Sequence, residues 1–161
     1  MNVKPFIAWI EFPEGHNEPY GDLGVYLVNP GERKYENVRM FTGAFEGDSD
    51  GLLETSKVVK DLGPLSPQAI RKIDAMTWYD LDFVYWYHLD FFTENNSRPE
   101  QYQFSIMKAY AWDEKKIALL PIIEMCGIRI ELEPRQGEDI SEAVKTIYLE
   151  SRYTPSAGSD S

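Results

Sequence analysis

Between residues 78 and 92 the chain alternates without a break, with Leu81, Phe83, Tyr85, Tyr87, Leu89 and Phe91 interleaved between Asp80, Asp82, Val84, Trp86, His88 and Asp90. Successive side chains of an extended segment point to opposite faces, so this pattern predicts a central strand with one dry face. The other face gathers three carboxylates, a histidine and a tryptophan.

The same period recurs along most of the chain. Residues 6–12 set Phe6, Ala8, Ile10 and Phe12 against Ile7, Trp9 and Glu11, and Pro5 marks a strand start or an edge. Residues 13–22 are a loop by their breakers, and residues 23–28 a second strand stopped by Asn29-Pro30-Gly31. Residues 37–45 and 52–59 predict two further strands, joined through the acidic stretch at 46–51. Gly63-Pro64-Leu65-Ser66-Pro67 interrupts the pattern. Residues 68–74 then read either as a helical turn started by Ser66 and Pro67 or as an extended edge strand. Residues 93–101 read as a polar loop. Residues 102–112, 117–124 (broken at Pro121) and 128–133 read as strands. From Asp139 the apolar positions Ile140, Ala143, Val144, Ile147 and Tyr148 take helical spacing, and Asp139 with Glu142 forms a capping-box pattern.

About eight short strands with closely spaced turn signals predict a mainly β chain, an antiparallel β-sandwich with a short C-terminal helix or, as the alternative, a last strand at 146–149. Residues 1–153 read as one domain and 154–161 as a frayed tail. Asn29-Pro30-Gly31, then Tyr35-Glu36-Asn37-Val38, then Gly63-Pro64-Leu65-Ser66-Pro67 before an aromatic strand, resemble in rhythm a bacterial immunoglobulin-like sandwich. That resemblance implies a fold and no particular function.

Charge narrows the partners. The 161 residues carry 27 Asp and Glu against 16 Lys and Arg, a formal net charge of -11, so the long-range field repels polyanions and argues against direct nucleic-acid binding. The acidity serves solubility on one reading. On another it attracts a basic partner or imitates nucleic acid. Cys126 is the one cysteine, which excludes an intrachain disulfide; its apolar neighbours predict a buried thiol and its solitude a reducing, cytoplasmic setting. No apolar run reaches the roughly 18 residues of a membrane helix, and no signal-peptide core is present.

Catalytic and metal chemistry find little support. In Glu46-Gly47-Asp48-Ser49-Asp50-Gly51 the oxygens alternate as in a calcium loop, but Lys57 stands where the bidentate glutamate belongs, leaving an acidic hairpin connection as the better reading. His88 and Asp90 sit roughly 7 Å apart along one strand, so a metal there would need ligands from another strand, and His16 lies in a distant loop. No nucleophile elbow and no glycine-rich phosphate loop is present.

The expectation is therefore a non-catalytic interaction module without a cofactor, binding another protein or self-associating through an uncovered sheet edge. Its contact face would comprise Asp80, Asp82, Trp86, His88 and Asp90. Two alternatives stand beside it: an acidic inhibitor or immunity-type protein that neutralises a basic or nucleic-acid-binding target, and a sandwich that binds carbohydrate or another small ligand on its aromatic face.

Overall fold

The computed structural model describes residues 3–12, 23–48, 51–54, 57–77, 84–106 and 114–135, and these are almost entirely antiparallel strands. In chain order they are β1 (Phe6–Glu11), β2 (Leu23–Val28), β3 (Tyr35–Asp48), β4 (Gly51–Glu54), β5 (Val58–Leu65), β6 (Ile70–Met76), β7 (Val84–Thr93), β8 (Asn96–Ile106), β9 (Ala118–Leu119), β10 (Cys126–Glu131) and β11 (Glu133–Pro134). One sheet has the order β6-β2-β1-β10-β9. The other runs β11-β8-β7-β3, with β4 and β5 both pairing along the far side of β3. Ile7, Trp9, Val25 and Leu27 of the first sheet share one apolar cluster with Met40, Tyr87, Leu89, Phe91 and Phe104 of the second, a sandwich-like arrangement. Burying each such side chain stabilises by about 1.5–3 kcal/mol.

The strand count exceeds the expected eight because several elements are shorter or differently bounded than the pattern indicates. The strand read at 52–59 is two strands, β4 and β5, and β5 runs on through Gly63-Pro64 instead of stopping there. Gly63 lies at φ +77, where a side chain is disfavoured, and the β3–β5 register shifts beside it, so a bulge absorbs the breaker. Of residues 68–74, Gln68 and Ala69 complete a turn, Gln68 at φ +61, and the rest takes the extended alternative in edge strand β6, paired with β2. The Ser66-Pro67 pair starts a turn, with the Ala69 N–H donating to the Ser66 carbonyl at 3.2 Å, and no helix follows.

Two other segments depart from expectation. β8 begins at Asn96 after a two-residue turn, so most of the polar loop read at 93–101 is strand; a register shift opposite residues 91–93 accommodates Pro99. In the segment read as a strand at 117–124, only Ala118–Leu119 pairs. Beyond it the Ile123 N–H donates to the Pro121 carbonyl at 2.7 Å across Ile122, whose φ is +68, a rare backbone state for a β-branched residue. This tight turn lets Leu120, Ile122 and Ile123 fold back over Phe6, Ala8 and Ile10. β1 is consequently buried on both faces and lies inside its sheet, so Pro5 marks a strand start and no edge. Cys126, expected inside, is exposed: it shares the parity of Ile128 but stands at the first position of β10, paired with the exposed Leu119.

A fully buried asparagine ties the sandwich at one end. Asn29 donates through Nδ2 to the carbonyls of Arg33 (2.8 Å) and Ser66 (3.0 Å), accepts the Gly31 N–H at Oδ1 (3.3 Å), and donates its own N–H to Ala69 (2.9 Å). Gln68 adds bonds to the carbonyls of Pro30 (2.6 Å) and Gly31 (3.3 Å). The β2–β3 and β5–β6 turns thus act as one unit. β3 and β4 pair antiparallel up to Asp48 and Gly51, and residues 49–50 of the acidic stretch lie outside the described residues. The helix expected from Asp139 and the tail at 154–161 lie outside the described residues.

Candidate functional site

β7 occupies the middle of its sheet, and its alternation places Trp86, His88 and Asp90 on the face turned from the core. Each heads a cross-strand row: Gly43, Trp86 and Ser105; Phe41, His88 and Gln103; Arg39, Asp90 and Gln101. The face is covered. Trp86 is 4%, His88 7% and Asp90 9% exposed. Asp80 and Asp82 lie outside the described residues.

The cover follows from neighbouring residues. Glycine at position 43 lets the indole of Trp86 lie across β3, since a Cβ there would come within 2.7 Å of Cζ2. The Lys57 ammonium sits 5.8 Å from the Trp86 ring, and the His88 ring lies 5.2 Å from it. Arg135 crosses from the segment after β11, its Nη1 2.6 Å from His88 Nδ1. A guanidinium only donates, so Nδ1 accepts and the imidazole is neutral with its proton on Nε2. Gln101 Nε2 donates to Asp90 Oδ1 at 3.4 Å. On the His88 row, Arg135 Nε and Gln103 Oε1 are buried without a hydrogen-bond partner, a donor and an acceptor left in one polar layer. Sequence reasoning missed Arg135, and a lone arginine after Glu133-Pro134 offers no local signal of a contact 47 positions back.

On the core side of β7, the Tyr87 hydroxyl donates to Asp74 Oδ2 at 2.7 Å, while Oδ1 accepts the Ala75 N–H at 2.8 Å. The Tyr87 ring stacks on Phe104 at 4.3 Å and 3°. Burial, then the Asp74 charge and hydrogen bond, hold the hydroxyl well above the ordinary tyrosine range.

A cleft of about 410 Å³ opens where the β2–β3 turn meets β8 and residues 3–4. Arg33 Nη1 lies 3.0 Å from both Glu100 carboxylate oxygens, and its guanidinium sits 5.3 Å from the Tyr35 ring. Lys4 Nζ sits 5.8 Å from the Tyr102 ring. Burial pushes Tyr35 and Tyr102 up; for Arg33 burial pulls down, and the hydrogen bond and charge of Glu100 outweigh it. Both cations in the cleft are thus already engaged by a carboxylate or a ring.

The third feature is an edge. β5 pairs with β3 on one side, and Arg71 donates from β6 to the carbonyls of Leu62 and Pro64, the latter at 3.0 Å. That capping ends at Leu62. Residues 58–61 are exposed, Val58 at 44% and Val59 at 58%, between Lys57, Lys60 and Asp61. The sequence signal for this edge, two adjacent valines bracketed by lysines, was present but carried no meaning without the strand order.

Among the described residues no group of three or more His, Cys, Asp or Glu is placed to hold a metal ion, and no helix is long and apolar enough to cross a membrane. Compared with family models, curated proteins and solved structures, the chain matches none of them.

Proposed function

We propose that this chain is a non-catalytic protein-interaction module that engages another protein, or itself, by adding a strand to the edge of β5. The observation carrying the reading is the exposed run at 58–61, with two valines that, among the described residues, lie at the margin of a six-stranded sheet whose adjoining edge is capped by Arg71. An edge strand offers a row of backbone donors and acceptors to which a strand of a partner can add. An immunoglobulin-like style of sandwich belongs to the same reading. Trp86, His88 and Asp90 act from beneath, as a buried layer whose Trp86 ring lies 5.8 Å from the Lys57 ammonium beside the edge. Asp80 and Asp82 enter the reading as acidic company for that face, from sequence alone.

The test is a paired capture from the source cell with the wild-type chain and Val59→Lys as baits. The substitution alters an exposed position, so the melting temperature stays unchanged while a partner held by the wild type is lost. One and the same set of partners on both baits would contradict the reading.

The net charge of -11 supports a second reading, an inhibitor of a basic target. Its affinity for that target would fall steeply with added salt, and a flat salt dependence would remove it.

A further inference from the structure

Resting on the reading of β5 as a docking edge, we propose that its occupant is a second copy of this chain, paired β5 to β5 antiparallel about a two-fold axis through Val59. Charge and symmetry select this register. A two-fold axis that joins two antiparallel edge strands stands perpendicular to the sheet, so each face of one copy continues as the same face of the other. Paired positions must then share parity along β5, which leaves few registers.

Centred on Val59, the register sets Val59 against Val59, Val58 against Lys60, and Lys57 against Asp61, twice over by symmetry. Centred on Lys60, it would set two lysines against each other and Val59 against Asp61. Centred on Val58, it would set Lys57 against Val59. Opposite charges directly across a pair of strands attract and like charges repel, so the Val59 register is preferred. It also covers the two exposed valines of the edge, at 44% and 58%.

Local charge permits the approach. Lys57 and Lys60 against Asp61 give this run a net charge of +1, two positive minus one negative, in a chain of net charge -11. At physiological salt the Debye length is about 8 Å, so repulsion between the acidic bodies is largely screened while the directly opposed pairs are not. Asp61 Oδ1 accepts the Gly63 N–H at 3.3 Å, which orients the carboxylate and leaves Oδ2 for the ammonium of the other copy. The Lys57 ammonium lies 5.8 Å from the Trp86 ring, at the start of the edge. Capping by Arg71 from Leu62 onward sets the length of the joint and blocks registers that slide toward β6.

Sedimentation equilibrium of the purified chain, from roughly 10 µM to 1 mM, tests the proposal, because small interfaces of this kind associate weakly. The wild type is expected to form dimers within that range. Lys57→Glu alone and Asp61→Lys alone each weaken association by about tenfold or more, since symmetry counts every change twice. An equimolar mixture of the two variants restores it: the introduced glutamate faces the introduced lysine, and the native Asp61 of one copy faces the native Lys57 of the other. A wild type monomeric at roughly 1 mM overturns the proposal, as does a dimer indifferent to both charge reversals. If the chain stays monomeric yet loses a different captured protein on Val59→Lys, the second copy falls while the docking-edge reading stands; no dimer and no such loss removes both.

Discussion

The hydroxyl of Tyr87 donates to Asp74 Oδ2 at 2.7 Å, a bond that runs from the second sheet to the edge strand of the first. It joins the two layers of the sandwich inside otherwise apolar surroundings, where a polar group without its partner is costly. Asp74→Ala strands the buried hydroxyl and the Ala75 N–H together and is expected to cost about 2–4 kcal/mol, against about 1 kcal/mol for Tyr87→Phe. Denaturant unfolding of both variants checks the order, and an equal or inverted cost would contradict it.

Alkaline stability follows from the same hydroxyl. Tyr87, Tyr35 and Tyr102 all hold their protons above the ordinary tyrosine value, burial being the first cause in each. The unfolded chain releases these protons at about pH 10 while the folded chain keeps them. Their contribution is fully present below that pH and is lost as pH rises through the raised folded values. Unfolding free energy measured upward from pH 9 should therefore fall beyond about pH 10, less so in Tyr87→Phe.

The neutral imidazole of His88 is a direct consequence of Arg135 lying 2.6 Å from Nδ1. Nitrogen NMR should find the His88 proton on Nε2, and Arg135→Met should abolish that preference. A proton on Nδ1 in the wild type would refute the contact.

Asn29 makes three side-chain hydrogen bonds while fully buried, so Asn29→Ala is expected to cost about 2–4 kcal/mol. Asn29→Asp, which keeps the acceptor and removes both donors, should recover little. Chemical denaturation of the two variants decides this.

Gly43 is where the Trp86 ring crosses β3. Gly43→Ala brings a methyl within 2.7 Å of the indole and should destabilise by about 1–3 kcal/mol with a change in tryptophan emission. In the double variant with Trp86→Phe, part of that loss should return. Strict additivity would show that the two residues do not press on each other.

What could be read from the chain was set by how local each cause is. The dry face of β7 announced itself because alternation is a property of neighbouring residues, and Tyr87, Leu89 and Phe91 lie where that pattern puts them. The same alternation grouped Trp86, His88 and Asp90 on one face. It could not reveal the cover, because Arg135 is far along the chain and the space above β3 depends on one glycine. β8 was hidden by the polar run around Pro99, which a bulge accommodates only once β7 lies alongside. The edge of β5, open among the described residues, depends on strand order, since Val58 and Val59 would be core residues in a central strand and become surface only at a margin.

Amide hydrogen exchange at residues 58–61 is the most direct measurement of the central claim. It should be followed in the chain alone across a range of concentrations and in the presence of the protein captured by the wild-type bait. The account predicts fast exchange in the dilute chain and marked slowing at these residues on association, with 62–65, already beside Arg71, changing little. Association that leaves 58–61 exchanging at the dilute rate, while protection grows elsewhere, would contradict it.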